Sequence, residues 1–145
     1  MLGDPPVQVG ELIGGRYRVG ERIGEGGMGV VFRATDEQLH RPLAIKFVAP
    51  VFRGDADRLA RFTNEARVLS ALNHPHIITI YEIGDVRGAP FIAMELVDGQ
   101  TLRERLGSGP LPLREAVDVV QQVARALPAR WLCEGAGLRP GRTPA

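Results

Sequence analysis

A lysine stands alone in the apolar run LAIKFV (43–48). An ammonium flanked by Ile45 and Phe47 is costly to bury without an anion. Lys46 therefore either sits on an edge strand and reaches solvent, or meets a negative partner. Upstream, GEGGMG (24–29) holds four glycines in six residues. Gly24, Gly26 and Gly29 fit G-x-G-x-x-G, and without a Cβ the backbone can approach a phosphate and offer its amides. On its own the loop suits a phosphate cradle and a plain hairpin turn equally well. A dinucleotide-binding fold is disfavoured, because its loop must open a helix and this one leads into VVFRAT, a strand-former. The lysine tips the balance toward phosphate chemistry. A carboxylate to hold it is offered by Glu65, between Phe62 and Leu69 on a turn adjoining an apolar stripe.

The elements that must position these groups follow from periodicity. RYRVGERIG (16–24), VVFRATDEQ (30–38) and LAIKFV (43–48) read as three strands, the first two closed into a hairpin by the glycines. Residues 57–72 place Leu59, Phe62, Ala66, Leu69 and Leu72 at helical spacing, ended by Asn73, His74 and Pro75. IITIYEIG (77–84) and PFIAMELV (90–97), separated by DVRGA, form a second hairpin. This predicts an α+β lobe, a five-stranded antiparallel sheet with one inserted helix. A short helix is expected over 101–106. A longer one follows over 113–127, with Leu113, Ala116, Val117, Val120, Val123, Ala124 and Leu127 on one face, and the pattern stops at Pro128. The organisation expected is a flexible leader (1–15), a lobe (16–98), the helices that follow it (99–127) and an irregular tail (128–145).

Composition narrows the function classes. A net charge of +1, with arginines scattered among acids, gives no reason to expect nucleic acid as a partner. The single cysteine, Cys133, excludes an intrachain disulfide and a clustered cysteine metal site. No apolar run approaches the ~20 residues of a membrane span, and the amino end lacks the features of a secretion signal. A cytoplasmic location is the expectation.

With these segments in hand, the chain resembles a protein kinase. IGEGGMGVVFRA followed by LAIK is similar to the kinase glycine-rich loop and third-strand lysine, with Val31 where that pattern has its valine. RFTNEARVLSALNHPHIITIYEIG and FIAMELVDGQTLRERL resemble the bacterial serine/threonine kinases in particular, and the likeness covers roughly residues 17–127. The resemblance implies that the loop residues Gly24, Glu25, Gly26, Gly27, Met28, Gly29 and Val30 cover the ATP phosphates. It implies that Lys46 contacts the α- and β-phosphates and that Glu65 orients Lys46. Ile23, Val31 and Ala44 would form an apolar roof over adenine. Met94 takes the gatekeeper position, and Glu95 and Val97 would offer backbone hydrogen bonds to the adenine edge. ATP is the implied ligand, carrying its own Mg²⁺, and a protein Ser/Thr hydroxyl is the implied acceptor.

Phosphoryl transfer also needs a catalytic aspartate and the metal-holding Asn and Asp, which the family supplies in H-R-D-x-x-x-x-N and D-F-G. Neither motif occurs in these 145 residues: no histidine follows His76, no asparagine follows Asn73, and the one aspartate after Asp98 is Asp118, inside a helical pattern. No catalytic residue and no protein metal ligand is therefore assigned. The abrupt loss of resemblance at Pro128 suggests a truncated or frame-shifted kinase product that binds ATP weakly and is inactive alone. The alternatives are a non-catalytic nucleotide-binding or protein-interaction module, or a product without function. An apolar helix face deprived of a partner lobe would favour self-association.

Overall fold

The computed structural model of the chain describes residues 6–26, 29–48 and 73–135, together with residues 60, 63, 64, 66, 67 and 70, and the side chains as far as residue 128. Six strands, β1 (Leu12–Ile13), β2 (Tyr17–Gly26), β3 (Gly29–Asp36), β4 (Arg41–Val48), β5 (Ile80–Val86) and β6 (Ala89–Met94), make one antiparallel sheet in the order β1-β2-β3-β4-β6-β5. Two helices follow, α1 (Leu102–Gly107) and α2 (Leu113–Gly135).

Strand parity explains the core. In β3, Phe32, Ala34 and Asp36 are buried while Arg33 and Thr35 are exposed, the alternation of a sheet with one dry face. The central strand β4 is covered on both faces, which is why LAIKFV is almost continuously apolar. Tyr17, Phe32, Phe47 and Phe91 meet on the dry face. Tyr17 and Phe91 lie edge-on at 6.2 Å, Phe32 and Phe47 at 6.1 Å, and Phe47 tilts against Phe91 at 5.9 Å.

The β5–β6 connection is tighter than the sequence implies. Arg87 and Gly88 both take positive φ (52° and 74°), a two-residue hairpin turn, and Asp85 Oδ1 accepts the Gly88 amide at 2.8 Å. Asp85, Val86 and Ala89, expected within the turn, therefore pair as strand, so the hairpin arms are 80–86 and 89–94 instead of 77–84 and 90–97. Gly84 in this hairpin faces Phe91, and a Cβ built on it would lie 2.5 Å from Phe91 Cζ. Because Tyr17 and Phe47 hold that ring from other sides, it has nowhere to swing. Gly84→Ala is expected to cost about 1–3 kcal/mol in urea denaturation, the range for an overpacked core; an unchanged midpoint would show that the ring yields freely.

Three expectations need correction. The sheet has six strands, because the stretch read as a loose leader supplies β1. The Gly10 amide donates to the Val19 carbonyl, and Val7 and Ile13 enter the core, so residues 6–15 are bound by apolar burial that their glycines disguise. The expected stop at Pro128 is not a stop either: α2 continues through it to Gly135. A proline's fixed φ suits a helix, and the cost is the missing amide bond and crowding of the preceding turn, which can kink a helix without ending it.

The short helix begins as expected. Thr101 caps α1, its hydroxyl accepting the Glu104 amide while Glu104 accepts the Thr101 amide, a reciprocal pair that fixes the helix start. Arg105 joins α1 to α2 through two 3.1 Å bonds to Glu115. On α2, Leu113, Val117, Val120, Val123 and Leu127 are exposed. No helix among the described residues is long and apolar enough to cross a membrane.

Candidate functional site

The site is a row across the face of the sheet opposite the aromatic core. Directly paired residues of an antiparallel ladder share a face. Gly24 pairs with Val31, Val31 with Lys46, and Lys46 with Ile92, so these four form one row across β2, β3, β4 and β6. Ala44, paired with Met94, lies two residues along on the same face. Ala44, Val48 and Ile92 are buried yet stand apart from the aromatic core, which occupies the opposite face. Lys46 is half-buried among them. The lysine is thus in the middle of the sheet, and the edge-strand explanation of its position is excluded.

The glycines of the loop differ in what they need. Gly29 has φ of 134°, a conformation that side chains rarely adopt, so the fold itself demands glycine there. Gly24 and Gly26 carry no such demand. A Cβ on Gly24 would make ordinary contact with Val31 at 3.8 Å, and one on Gly26 would meet nothing within 4 Å. Packing within the chain leaves these two glycines unexplained, whereas a ligand approaching the backbone closely would require them. The open side of Gly24 lies on the lysine's face.

The segment after β6 is fixed at one point and open at two. The Glu95 amide donates to the Thr79 carbonyl at 2.9 Å, and Glu95 Oε2 accepts the Thr79 amide at 3.2 Å. Among the described residues, the Glu95 carbonyl and the Val97 amide have no hydrogen-bond partner. A strand end thus offers an acceptor and a donor two residues apart.

Not every expected residue joins this group. Val30 pairs with Phe47 and packs against the aromatic core, because the period of two sends it to the face opposite Lys46. Glu25 shares Val30's parity and pairs with Arg22 at 2.8 Å. Ile23 occupies a register irregularity between Arg22 and Gly24 and is about half exposed (47%), so alternation does not aim it. Gly27, Met28 and Glu65 lie outside the described residues. The helix expected at 57–72 is helical at every residue described there, and Ala66, next to Glu65, is buried. No group of three or more His, Cys, Asp or Glu suited to a metal occurs among the described residues.

Strand parity marks one further acid, which carries no motif of its own. Asp36 falls at a core position of β3 and is fully buried, and a buried carboxylate must have partners. Arg16 donates Nη2 to its Oδ2 at 2.8 Å and Nε to both oxygens at 3.1 Å, and the Gln38 and Leu39 amides donate to Oδ1 at 3.1 Å. The Arg16 bond, helped by the Leu39 and Gln38 amides and opposed by burial, holds the carboxyl at about 2, below its ordinary 3.8. A depressed acid contributes stability that is complete above the ordinary value and lost as pH falls through the folded one. Melting temperature should therefore drop between pH 4 and pH 2, and Asp36→Asn should flatten that part of the profile; an equal drop in both proteins would contradict the assignment.

Comparison with known proteins agrees with this geometry. Residues 17–130 match the family model described as the protein kinase domain. The serine/threonine-protein kinase PrkC of Bacillus subtilis is 38% identical over 120 residues, 82% of this chain and 18% of that protein. PknD of Mycobacterium tuberculosis is 38% identical over 129 residues, 88% of this chain and 19% of that protein. The crystal structure of the M. tuberculosis PknI kinase domain superposes with a TM-score of 0.77 at 29% identity, over 86% of this chain and 50% of that one. The chain thus spans about a fifth of the length of these curated relatives and half of the solved kinase domain. A glycine hairpin paired to a lysine strand, inside a sheet that superposes on a solved kinase and a sequence matched from Tyr17 into the last helix, places the chain in the protein kinase family, among the bacterial serine/threonine kinases.

Proposed function

We propose that residues 16–98 bind ATP, and that the chain is the nucleotide-binding portion of a serine/threonine protein kinase. The family reaction moves the γ-phosphate of ATP to a protein hydroxyl. The observation that carries the reading is the Gly24–Val31–Lys46 row, in which a half-buried lysine shares a face with a glycine whose missing side chain no packing within the chain requires. Lys46 would hold the α- and β-phosphates, the amides of the loop would cover them, Val31 and Ala44 would lie against the adenine, and Glu95 and Val97 would hydrogen-bond its edge. Mg²⁺ would come with the nucleotide. Glu65 would pair with Lys46 and keep it aimed.

Binding without transfer is the behaviour these 145 residues support by themselves, since they contain neither H-R-D-x-x-x-x-N nor D-F-G. Affinity is expected to be weak, because half of a kinase cleft is a poor enclosure and each 1.4 kcal/mol of lost contact weakens binding about tenfold. The test is a thermal melt with and without Mg·ATP, paired with an assay for phosphate transfer to a generic protein substrate. A melting temperature that rises with nucleotide, with no transfer, is the expected pair of results; no rise at millimolar nucleotide would refute the binding reading.

A further inference from the structure

At the end of the β2–β3 hairpin remote from the glycine loop, groups from four strands converge. Arg16, just before β2, grips Asp36 at the end of β3, and Arg41 at the start of β4 brings its Nε within 3.9 Å of the same carboxylate. Arg16 then extends Nη1 to Glu82 of β5 at 3.1 Å. Glu82 Oε2 also accepts the phenol of Tyr17, and burial followed by this bond pushes the phenol's pKa up, so it stays a donor. The Arg41 guanidinium stacks 3.7 Å over the ring of Tyr81.

Two features give this cluster a consequence. First, neighbouring residues of a regular strand point to opposite faces, yet Tyr81 and Glu82 both meet the arginines around Asp36. The register irregularity between Ile80 and Glu82 permits it, since an extra residue re-aims a side chain. Second, β5 is separated from β2 and β3 in the sheet order by β4 and β6, so no backbone ladder joins it to the hairpin. Side chains alone make that connection. Glu82 pairs with Ala93, the residue before Met94 and two before Glu95, so the root of the glycine hairpin is fastened beside the segment offering the adenine-edge groups.

We propose that Glu82, with Arg16 and Tyr17, is a positioning element of the nucleotide site: it anchors the root of the glycine hairpin to the strand pair leading to Glu95 and Val97, and so sets how far the loop stands from the adenine end. The proposal rests on the nucleotide-binding reading above. A hairpin held at its root stays over one place, whereas an unfastened hairpin rocks as a body, and a ligand bound at both ends must then order it.

The test compares Mg·ATP affinity at a temperature well below the melting transition of every variant, so that stability does not enter. Glu82→Ala is expected to weaken binding about five- to tenfold. Glu82→Gln, which keeps an oxygen for Tyr17 and loses the charge facing Arg16, should fall between. Val7→Ala, a core truncation that removes none of the bonds of Glu82, Arg16 and Tyr17, serves as the control: it should lower the melting temperature without changing affinity. Equal binding by Glu82→Ala and the unsubstituted chain would overturn the positioning role alone, as would an equal loss in Val7→Ala. Failure of the unsubstituted chain to bind nucleotide would remove the binding reading and this proposal with it.

Discussion

Lys46→Ala is expected to abolish the rise in melting temperature that Mg·ATP gives, while leaving the ligand-free melting temperature nearly unchanged. The two halves of that expectation have separate causes. Lys46 lies on the face opposite Phe32, Phe47 and Phe91, so shortening it opens no cavity in the aromatic core. The residue is half-buried between Val31 and Ile92 on that face, so its truncation removes only part of a side chain from contact in the empty protein. With a triphosphate present more is lost, because an ammonium–phosphate bond in a partly dry site is of the charge-assisted kind, worth about 1.5–3 kcal/mol and more when the partner is left unpaired. A loss of that size weakens binding about tenfold to a hundredfold, enough to take a weak site out of the measurable range. Lys46→Arg should not restore it, since a forked planar donor cannot stand in for a compact point charge beneath the loop. Melts and titration calorimetry on the three proteins decide the matter; an undiminished thermal shift in Lys46→Ala would remove the lysine from the site.

What could be read from the sequence was what repeats with a short period or breaks it. The strand LAIKFV showed Lys46 because one charge interrupts an apolar run, and the glycine hairpin showed itself because two β-branched segments flank it. Longer-range facts were not visible. Arg16 and Glu82 are 66 positions apart, and no local pattern marks them as partners; only the parity of Asp36 hinted that an arginine must come from somewhere. Val30 and Val31 have the same chemistry, and their separation onto opposite faces appears only once the register with β4 is known. Residues 6–15 looked loose because turn-formers predominate, although two apolar side chains suffice to bind a segment to a core. Pro128 reads as a terminator but does not end α2, since in a long helix the proline's penalty is local.

Phe47→Ala should be the most damaging core substitution on the lysine's own strand. Phe47 is completely buried and its ring touches both Phe32 and Phe91, so it links the β3 and β6 sides of the sheet through β4. Truncating a buried phenylalanine costs about 3–5 kcal/mol, the lost transfer energy plus the cavity left behind. Against a total stability of about 5–15 kcal/mol for a small domain, this leaves the lobe barely folded or unfolded at room temperature. Phe47→Leu, which keeps most of the volume, should cost much less. Urea denaturation gives both values, with the slope unchanged if only the native packing is affected. The result also bears on function, because Phe47 follows Lys46 directly and the strand can present its ammonium to one face only while its phenyl ring is gripped by the other. In Phe47→Ala the remaining folded molecules should therefore bind nucleotide less tightly, although the substituted side chain lies on the far side of the sheet from the ligand. A loss below about 1 kcal/mol, with unaltered nucleotide affinity, would mean that the aromatic cluster neither holds the sheet together nor braces the lysine.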